Sequence, residues 1–356
     1  MPEPILIAHR GASGARPEHT LAAYELAARL GADYLEPDLV ATADGHLVAR
    51  HENEIGTTTD IADHPEFADR VTSKVIDGHT VTGWFTEDLT LAELRTLCCR
   101  ERLPDLRPGN TAYDGQFTVP TLEEILDLRA RLSTELGRDL GVYLETKHPT
   151  HFRDIGLPLE EPLVAALESA GLNEDGAPVF LQSFELGNLI TLRRDLGARA
   201  PLVFLAEAAG SPYDFVAAQD PRTFADLLTP AGLAELARWV DGIGPHKDLV
   251  IAPGADGTLG EPTSLVTDAH EAGLVVHPWT FRRENAFLPT DLRGAGGDPG
   301  RGGGAGTADG PGTTGDPAAA GDVVAEIRAH LAAGVDGFFT DHTDLGVQAR
   351  AQPGSG

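Results

Sequence analysis

The sequence predicts an α/β chain folded as a closed (β/α)8 barrel of the TIM type, with a small insertion after the second strand. Three observations carry this. Eight short apolar runs recur along the 356 residues. Helical patterns with one apolar face lie between most of them. No G-x-G-x-x-G loop follows the first run, as it would in a doubly wound dinucleotide-binding sheet. An open doubly wound sheet shares the alternation, and the count of eight favours the barrel.

The elements follow in order. Ile5–Ala8 is the first strand and runs into His9-Arg10-Gly11. A helix is expected over Leu21–Leu30, with Thr20 as its N-cap and Gly31 as its stop. Tyr34–Val40 is the second strand. Asp44-Gly45 then marks a hairpin turn that sends a short strand back to His51. Residues 52–117 break the repeat: they are polar, with short apolar pieces at Trp84-Phe85 and Leu89–Leu97. They are expected to form an insertion packed over one end of the barrel. Strands follow at Val142–Thr146, Val179–Gln182, Pro201–Leu205, Val240–Gly244 and Leu274–His277. A helix over Pro162–Ala170 ends at Gly171.

The stretch Gly294–Gly321 has 12 glycines in 28 residues. It has too little apolar surface to offset its ordering entropy, and is expected to be a disordered loop. A helix over Val323–Ala333, stopped by Gly334, leads to the last strand, Gly337–Thr340. The barrel domain is thus expected over 1–51 and 118–350. Without the insertion and the loop it has about 260 residues, close to the ~250 of one barrel.

Composition limits the partners. The formal net charge of −28 repels nucleic acid and anionic membrane surfaces. No apolar run approaches the ~20 residues that span a bilayer, so no membrane insertion is expected. The N-terminus MPEPILIAHRG lacks the basic and apolar regions of a secretory signal, so a cytoplasmic location is expected. The two cysteines, Cys98 and Cys99, are sequence neighbours and support neither a disulfide framework nor a thiolate zinc site. Composition says nothing of the oligomeric state.

The chemistry gathers at strand ends. Glu36 and Asp38 share one face of the second strand, Leu35 and Leu39 the other. Two carboxylates inside a barrel need compensation, either by a hard divalent cation or by salt bridges from neighbouring strands. Glu145 and Lys147 share a face at the next barrel strand and, alone, would read as a buried ion pair. His51, alone, would read as a capping or surface histidine. Together, His9, Arg10, Glu36, Asp38, His51, Glu145 and Lys147 fall at the C-terminal ends of the first three barrel strands, where barrel enzymes keep their sites. Three acids suit one Ca²⁺ or Mg²⁺. Two histidines suit acid–base work near neutral pH. Arg10 and Lys147 suit a phosphate. That set describes a phosphodiester site better than a glycosidase or a dehydrogenase.

These residues resemble the glycerophosphodiester phosphodiesterase family, in its long bacterial form. The matching motifs are His9-Arg10-Gly11, Pro17-Glu18-His19-Thr20, Glu36-x-Asp38, Thr42-x-Asp44-Gly45, His51 and Glu145-Thr146-Lys147. "DLTLAELRTL", "RPGNTAYDGQF" and "VPTLEEILDL" match the long form's insertion. "LQSFE", "VVHPWTFR" and "GFFTDHTD" match toward the C-terminus.

The resemblance implies hydrolysis of glycerophosphodiesters such as glycerophosphocholine and glycerophosphoethanolamine to glycerol 3-phosphate and an alcohol. It implies one divalent metal, commonly Ca²⁺ and sometimes Mg²⁺, held by Glu36, Asp38 and Glu145. His9 and His51 would be the acid–base pair, with Arg10 and Lys147 on the phosphate. Phe184, Trp279 and Phe281 would line the pocket. A glycerol hydroxyl would attack phosphorus, and water would open the cyclic phosphate. Two positions depart from the family pattern: His19 stands where an asparagine is usual, and Glu52 where an aspartate follows the histidine. Other readings are a phospholipase C- or D-like phosphodiesterase on the same fold and a catalytically silent binding barrel.

Overall fold

The computed structural model describes residues 3–295 and 316–351. Its strands are β1 (Ile5–His9), β2 (Tyr34–Glu36), β3 (Asp38–Ala41), β4 (Leu47–Ala49), β5 (Thr72–Ile76), β6 (His79–Gly83), β7 (Gly141–Thr146), β8 (Val179–Ser183), β9 (Leu202–Ala206), β10 (Gly242–Pro245), β11 (Val275–Val276) and β12 (Gly337–Thr340). Eight parallel strands form the barrel, in the order β11-β10-β9-β8-β7-β2-β1-β12, with β3 continuing β2. The seam between β11 and β12 is bridged by backbone bonds. Asp336 N–H donates to Val276 O at 2.9 Å, and Phe339 N–H to Pro278 O at 3.0 Å.

Pro37 separates β2 from β3 and has no N–H to give the ladder. Its carbonyl still accepts from Glu145 N–H at 3.0 Å, so the second barrel strand stays attached to β7 across the break. The Asp44-Gly45 turn, with Gly45 at φ 80, returns the chain as β4, which pairs antiparallel with β3.

Aromatic rings fill the barrel. Tyr143 stacks on Phe180 at 4.7 Å and meets Phe339 edge-on at 5.0 Å, while its hydroxyl bonds His277 Nδ1 at 2.9 Å. Leu35, as alternation requires, faces outward into a layer with Ile125, Leu128 and Ile327. The helix Leu21–Leu30 has the expected ends. Thr20 accepts from Ala23 N–H, and Gly31 closes it in the left-handed conformation at φ 108.

Residues 52–117 include the hairpin β5–β6, whose turn is Asp77-Gly78. Both turn residues have positive φ, 47 and 81, the geometry that suits a right-twisted two-residue hairpin. Ile55, Phe67, Leu94 and Leu97 of this segment join the apolar cluster that also holds Leu39, Val48 and Leu144 of the barrel. Of the glycine-rich stretch 294–321, residues 296–315 lie outside the described residues. Its two flanks meet at buried Asn285, whose amide nitrogen donates to Gly294 O at 2.9 Å and to Asp316 O at 3.0 Å.

Candidate active site

Strand register assembles the site. His9 lies beside Glu36, Asp38 beside Glu145, and Glu145 beside Gln182. All sit at the C-terminal end of the barrel, where the strands finish and the chain turns. At the end of β1 the backbone turns sharply. Arg10 adopts φ 60, a left-handed conformation that is unfavourable for a side-chain-bearing residue. Its N–H is held by Glu36 O at 3.0 Å and Glu36 Oε2 at 2.8 Å, which offsets the strain. Gly11 follows at φ 85, and a Cβ there would stand 2.7 Å from the Ala23 carbonyl carbon. Only glycine lets this loop lie on the first helix while Arg10 faces the site.

The three carboxylates come together. Glu36, Asp38 and Glu145 each offer an oxygen within 4.8 Å of the others, and all three are buried. Asp38 is the best compensated: His19 Nε2 lies 2.8 Å away, Arg10 Nε 3.4 Å and Lys147 Nζ 3.8 Å. Burial opposes its ionisation, but Lys147 and the His19 hydrogen bond hold it well below the usual carboxylate range. Glu36 goes the other way. Burial and the charges of Asp38 and Glu145 push it well up, although Gln182 Nε2 donates to it at 3.0 Å. Burial also raises Glu145, to about 8, against Lys147 Nζ at 2.8 Å. Hard oxygen donors with excess negative charge are the donor set of a divalent cation, and the residues fit one.

His9 and His51 line the same cavity, about 660 Å³ in volume, together with Arg10, Glu145 and Lys147. Each histidine has a carboxylate behind it. His9 Nδ1 lies 2.6 Å from Asp341 Oδ1, and His51 Nδ1 lies 2.6 Å from Glu52 Oε1. An ionised carboxylate only accepts, so each Nδ1 carries the proton. Burial and the Arg10 charge press His9 down to about 4, against the pull of Asp341. Burial, Arg10 and Lys147 press His51 well below its ordinary value, against Glu52.

Of the aromatic residues expected at the pocket, Phe184 and Trp279 line it. Phe281 does not. It is fully buried in the layer outside the barrel, edge-on to His330 at 4.7 Å and Phe338 at 6.0 Å. The reason lies in the backbone. Trp279 N–H bonds Pro245 O on one side of the seam, while Phe281 N–H bonds Phe339 O on the other. The chain changes partner between them, so the period-two alternation of a strand does not carry across.

Several site residues were not singled out by sequence. Gln182 and Arg282 line the cavity, and both stand inside motifs of the resemblance. Glu18 receives Arg10 Nη1 at 3.0 Å. His19, visible only as a departure, is fully buried between Asp38 and the Tyr24 hydroxyl at 2.7 Å. The hairpin tip Asp77-Gly78 reaches the cavity, and Asp77 Oδ2 lies 2.6 Å from His148 Nδ1. The Asp-Gly dipeptide between alternating residues was the signal that would have found this hairpin.

Residues 9–345 match the model of the glycerophosphoryl diester phosphodiesterase family. The chain is 35% identical over 297 residues to a glycerophosphodiester phosphodiesterase of Arabidopsis thaliana, covering 80% of this chain and 76% of that one. It is 30% identical over 289 residues to the glycerophosphodiester phosphodiesterase of Bacillus subtilis, covering 80% and 78%. Among solved structures, a phosphodiesterase of Oleispira antarctica in complex with the product sn-glycerol-3-phosphate aligns with a TM-score of 0.59. It has 18% identity and covers 98% of this chain and 96% of that one. The glycerophosphodiester phosphodiesterase of Agrobacterium tumefaciens aligns with a TM-score of 0.54 at 18% identity, covering 98% and 100%. At that identity the structural likeness shows the fold. No helix among the described residues is long and apolar enough to cross a membrane.

Proposed function

The chain belongs to the glycerophosphoryl diester phosphodiesterase family, and from that premise we propose that this cavity cleaves glycerophosphodiesters to sn-glycerol 3-phosphate and an alcohol by histidine acid–base catalysis. The enzyme is a phosphodiesterase of this kind. One observation carries it. Two histidines, each backed by a carboxylate at 2.6 Å, open onto one cavity with two cations and a buried carboxylate triad.

Glu36, Asp38 and Glu145 would hold one divalent cation, with Ca²⁺ favoured and Mg²⁺ the alternative. When bound, that ion supplies Lewis-acid charge for the phosphoryl oxygens. Arg10 and Lys147 bind the phosphate, and Arg282 at the cavity wall adds a third positive group. One histidine, neutral at Nε2, takes the proton of the attacking glycerol hydroxyl. The other, protonated at Nε2 once the anionic diester is bound, gives that proton to the leaving alcohol oxygen. Water then opens the cyclic phosphate by the reverse exchange of roles, so one water is consumed and no net proton is left on either ring. The reaction is followed as release of glycerol 3-phosphate from glycerophosphocholine by the pure protein. Release of phosphocholine instead, or no turnover with any glycerophosphodiester, would sink the assignment.

The acidic part of the cavity wall favours a cationic alcohol such as choline or ethanolamine. Asp77, Glu185 and Glu207 line it beside the rings of Phe184, Tyr213 and Trp279. Among the described residues Asp77 Oδ1 has no partner. Burial pushes Glu185 up to about 8, with the charges of Asp214 and Asp77 adding to the shift and Thr150 opposing it. A quaternary ammonium entering here meets acids and aromatic faces.

Above about pH 8, where the Glu185 carboxyl is ionised, Glu185→Gln is therefore expected to lower the kcat/KM ratio of glycerophosphocholine over glycerophosphoglycerol roughly fivefold, about 1 kcal/mol. An unchanged ratio would remove Glu185 from headgroup selection. The same variant gives a stability signature. With its folded pKa raised, Glu185 contributes stability below about pH 4.5 that is lost as pH rises to about 8, at most about 5 kcal/mol. The Tm of Glu185→Gln minus that of the parent should rise from pH 5 to pH 8; a flat difference would show that the carboxyl ionises freely.

A further inference from the structure

We propose that Arg107 and Arg102 are positioning residues for the reaction: the inserted segment sends two arginines against the carboxylates that hold the two histidines. This rests on the acid–base reading of His9 and His51 above.

On both sides a carboxylate that bonds a histidine also takes an arginine. Asp341 gives one oxygen to His9. Its other oxygen takes Arg107 Nη2 at 2.6 Å and Arg282 Nε at 2.9 Å. Glu52 gives Oε1 to His51, and Arg102 Nη2 donates to that oxygen at 2.8 Å. Five positions separate the two arginines in sequence, so one short stretch of the insertion reaches behind both catalytic rings. Neither arginine lines the cavity.

Arg107 is buried and fully engaged. Its Nε donates to Glu284 Oε1 at 2.7 Å and its Nη1 to Ser13 O at 3.1 Å. Ser13 Oγ in turn donates to His9 O at 2.8 Å. Arg107 therefore fixes His9 twice, through the Asp341 carboxylate and through the loop that follows β1. A carboxylate at a strand end can turn about its last side-chain bond, and a histidine bonded to it turns with it. A planar guanidinium with acceptors on three sides removes that freedom. Arg102 is more exposed, at 29% of its side chain, and grips Glu52 and, at 3.5 Å, Glu18, which itself holds Arg10. Its effect should be the smaller.

A bland alternative is that both arginines only fasten the insertion to the barrel. The two readings separate in kinetics. Arg107→Gln is expected to lower kcat about 10–100-fold with KM within about twofold. Because Arg107 acts through Asp341, adding Arg107→Gln to Asp341→Asn should lower kcat little further. Arg102→Gln should show the same non-additivity with Glu52→Gln, at a loss of a few-fold. Arg107→Lys keeps the charge without the fork and should lose several-fold in kcat; it serves where the glutamine variant does not fold. A lowered Tm with unchanged kcat, or losses that multiply in the double variants, would overturn the proposal. Full kcat in His9→Ala and Asp341→Asn would instead show that the acid–base reading itself had failed.

Discussion

His9→Ala and His51→Ala are each expected to lower kcat by about 10²–10⁴-fold, the range for a lost general acid or base. The structure gives a reason beyond proximity. Both rings are held neutral in the resting site, His9 by burial and Arg10, His51 by burial, Arg10 and Lys147. A phosphodiester bound between these cations cancels their charge, which acts beside burial to keep the rings unprotonated, and so raises the proton affinity of both. The ring facing the leaving oxygen then becomes the acid, while the other stays a base. The two roles separate with a better leaving group. Glycerol 3-phosphate esterified to p-nitrophenol needs no protonation as it departs. On this substrate the variant lacking the acid should recover most of its kcat, and the variant lacking the base should not. Near-full activity of either variant on glycerophosphocholine would remove that residue from the mechanism.

Much of this site was legible because it sits where local rules hold. Barrel strands are short buried runs, and Thr20 and Gly31 announce the ends of the first helix. Glu36 and Asp38 share a face because side chains alternate along a strand, and the register of β2 and β3 with β1 and β7 brings His9 and Glu145 to them. What was not legible depends on chain that leaves the strand or returns from far away. Phe281 follows Trp279 by two residues, and alternation would send both into the pocket. The partner switch at the barrel seam sends one inside and the other out. Arg107 meets Asp341 across 234 residues of sequence, and no period reveals such a pair. His19 was visible as an odd residue in a familiar motif. Only the fold shows that its imidazole spans Tyr24 and Asp38.

Removing the metal should produce a loss of turnover as large as that of losing a histidine. A divalent cation on a phosphoryl group supplies several kcal/mol, so chelation is expected to lower kcat/KM by about 10³-fold or more. Ca²⁺ should restore it, and Mg²⁺ in its place would reverse our preference of ion. Stability offers a readout independent of turnover. Glu36, Asp38 and Glu145 crowd their oxygens within 4.8 Å, with Arg10 and His19 on Asp38 and Lys147 between Glu145 and Asp38. Metal at about 100 times its Kd would stabilise the fold by about 2.7 kcal/mol and raise the Tm. Glu145→Gln should invert that behaviour. It removes one of three mutually repelling carboxylates, so the metal-free variant should melt no lower than the metal-free parent. It also removes a ligand, so added Ca²⁺ should shift its Tm far less. Full turnover after exhaustive chelation, with a Tm indifferent to both ions, would show that the triad is neutralised by Arg10, Lys147 and His19 alone, and that the phosphate is handled by side chains without a metal.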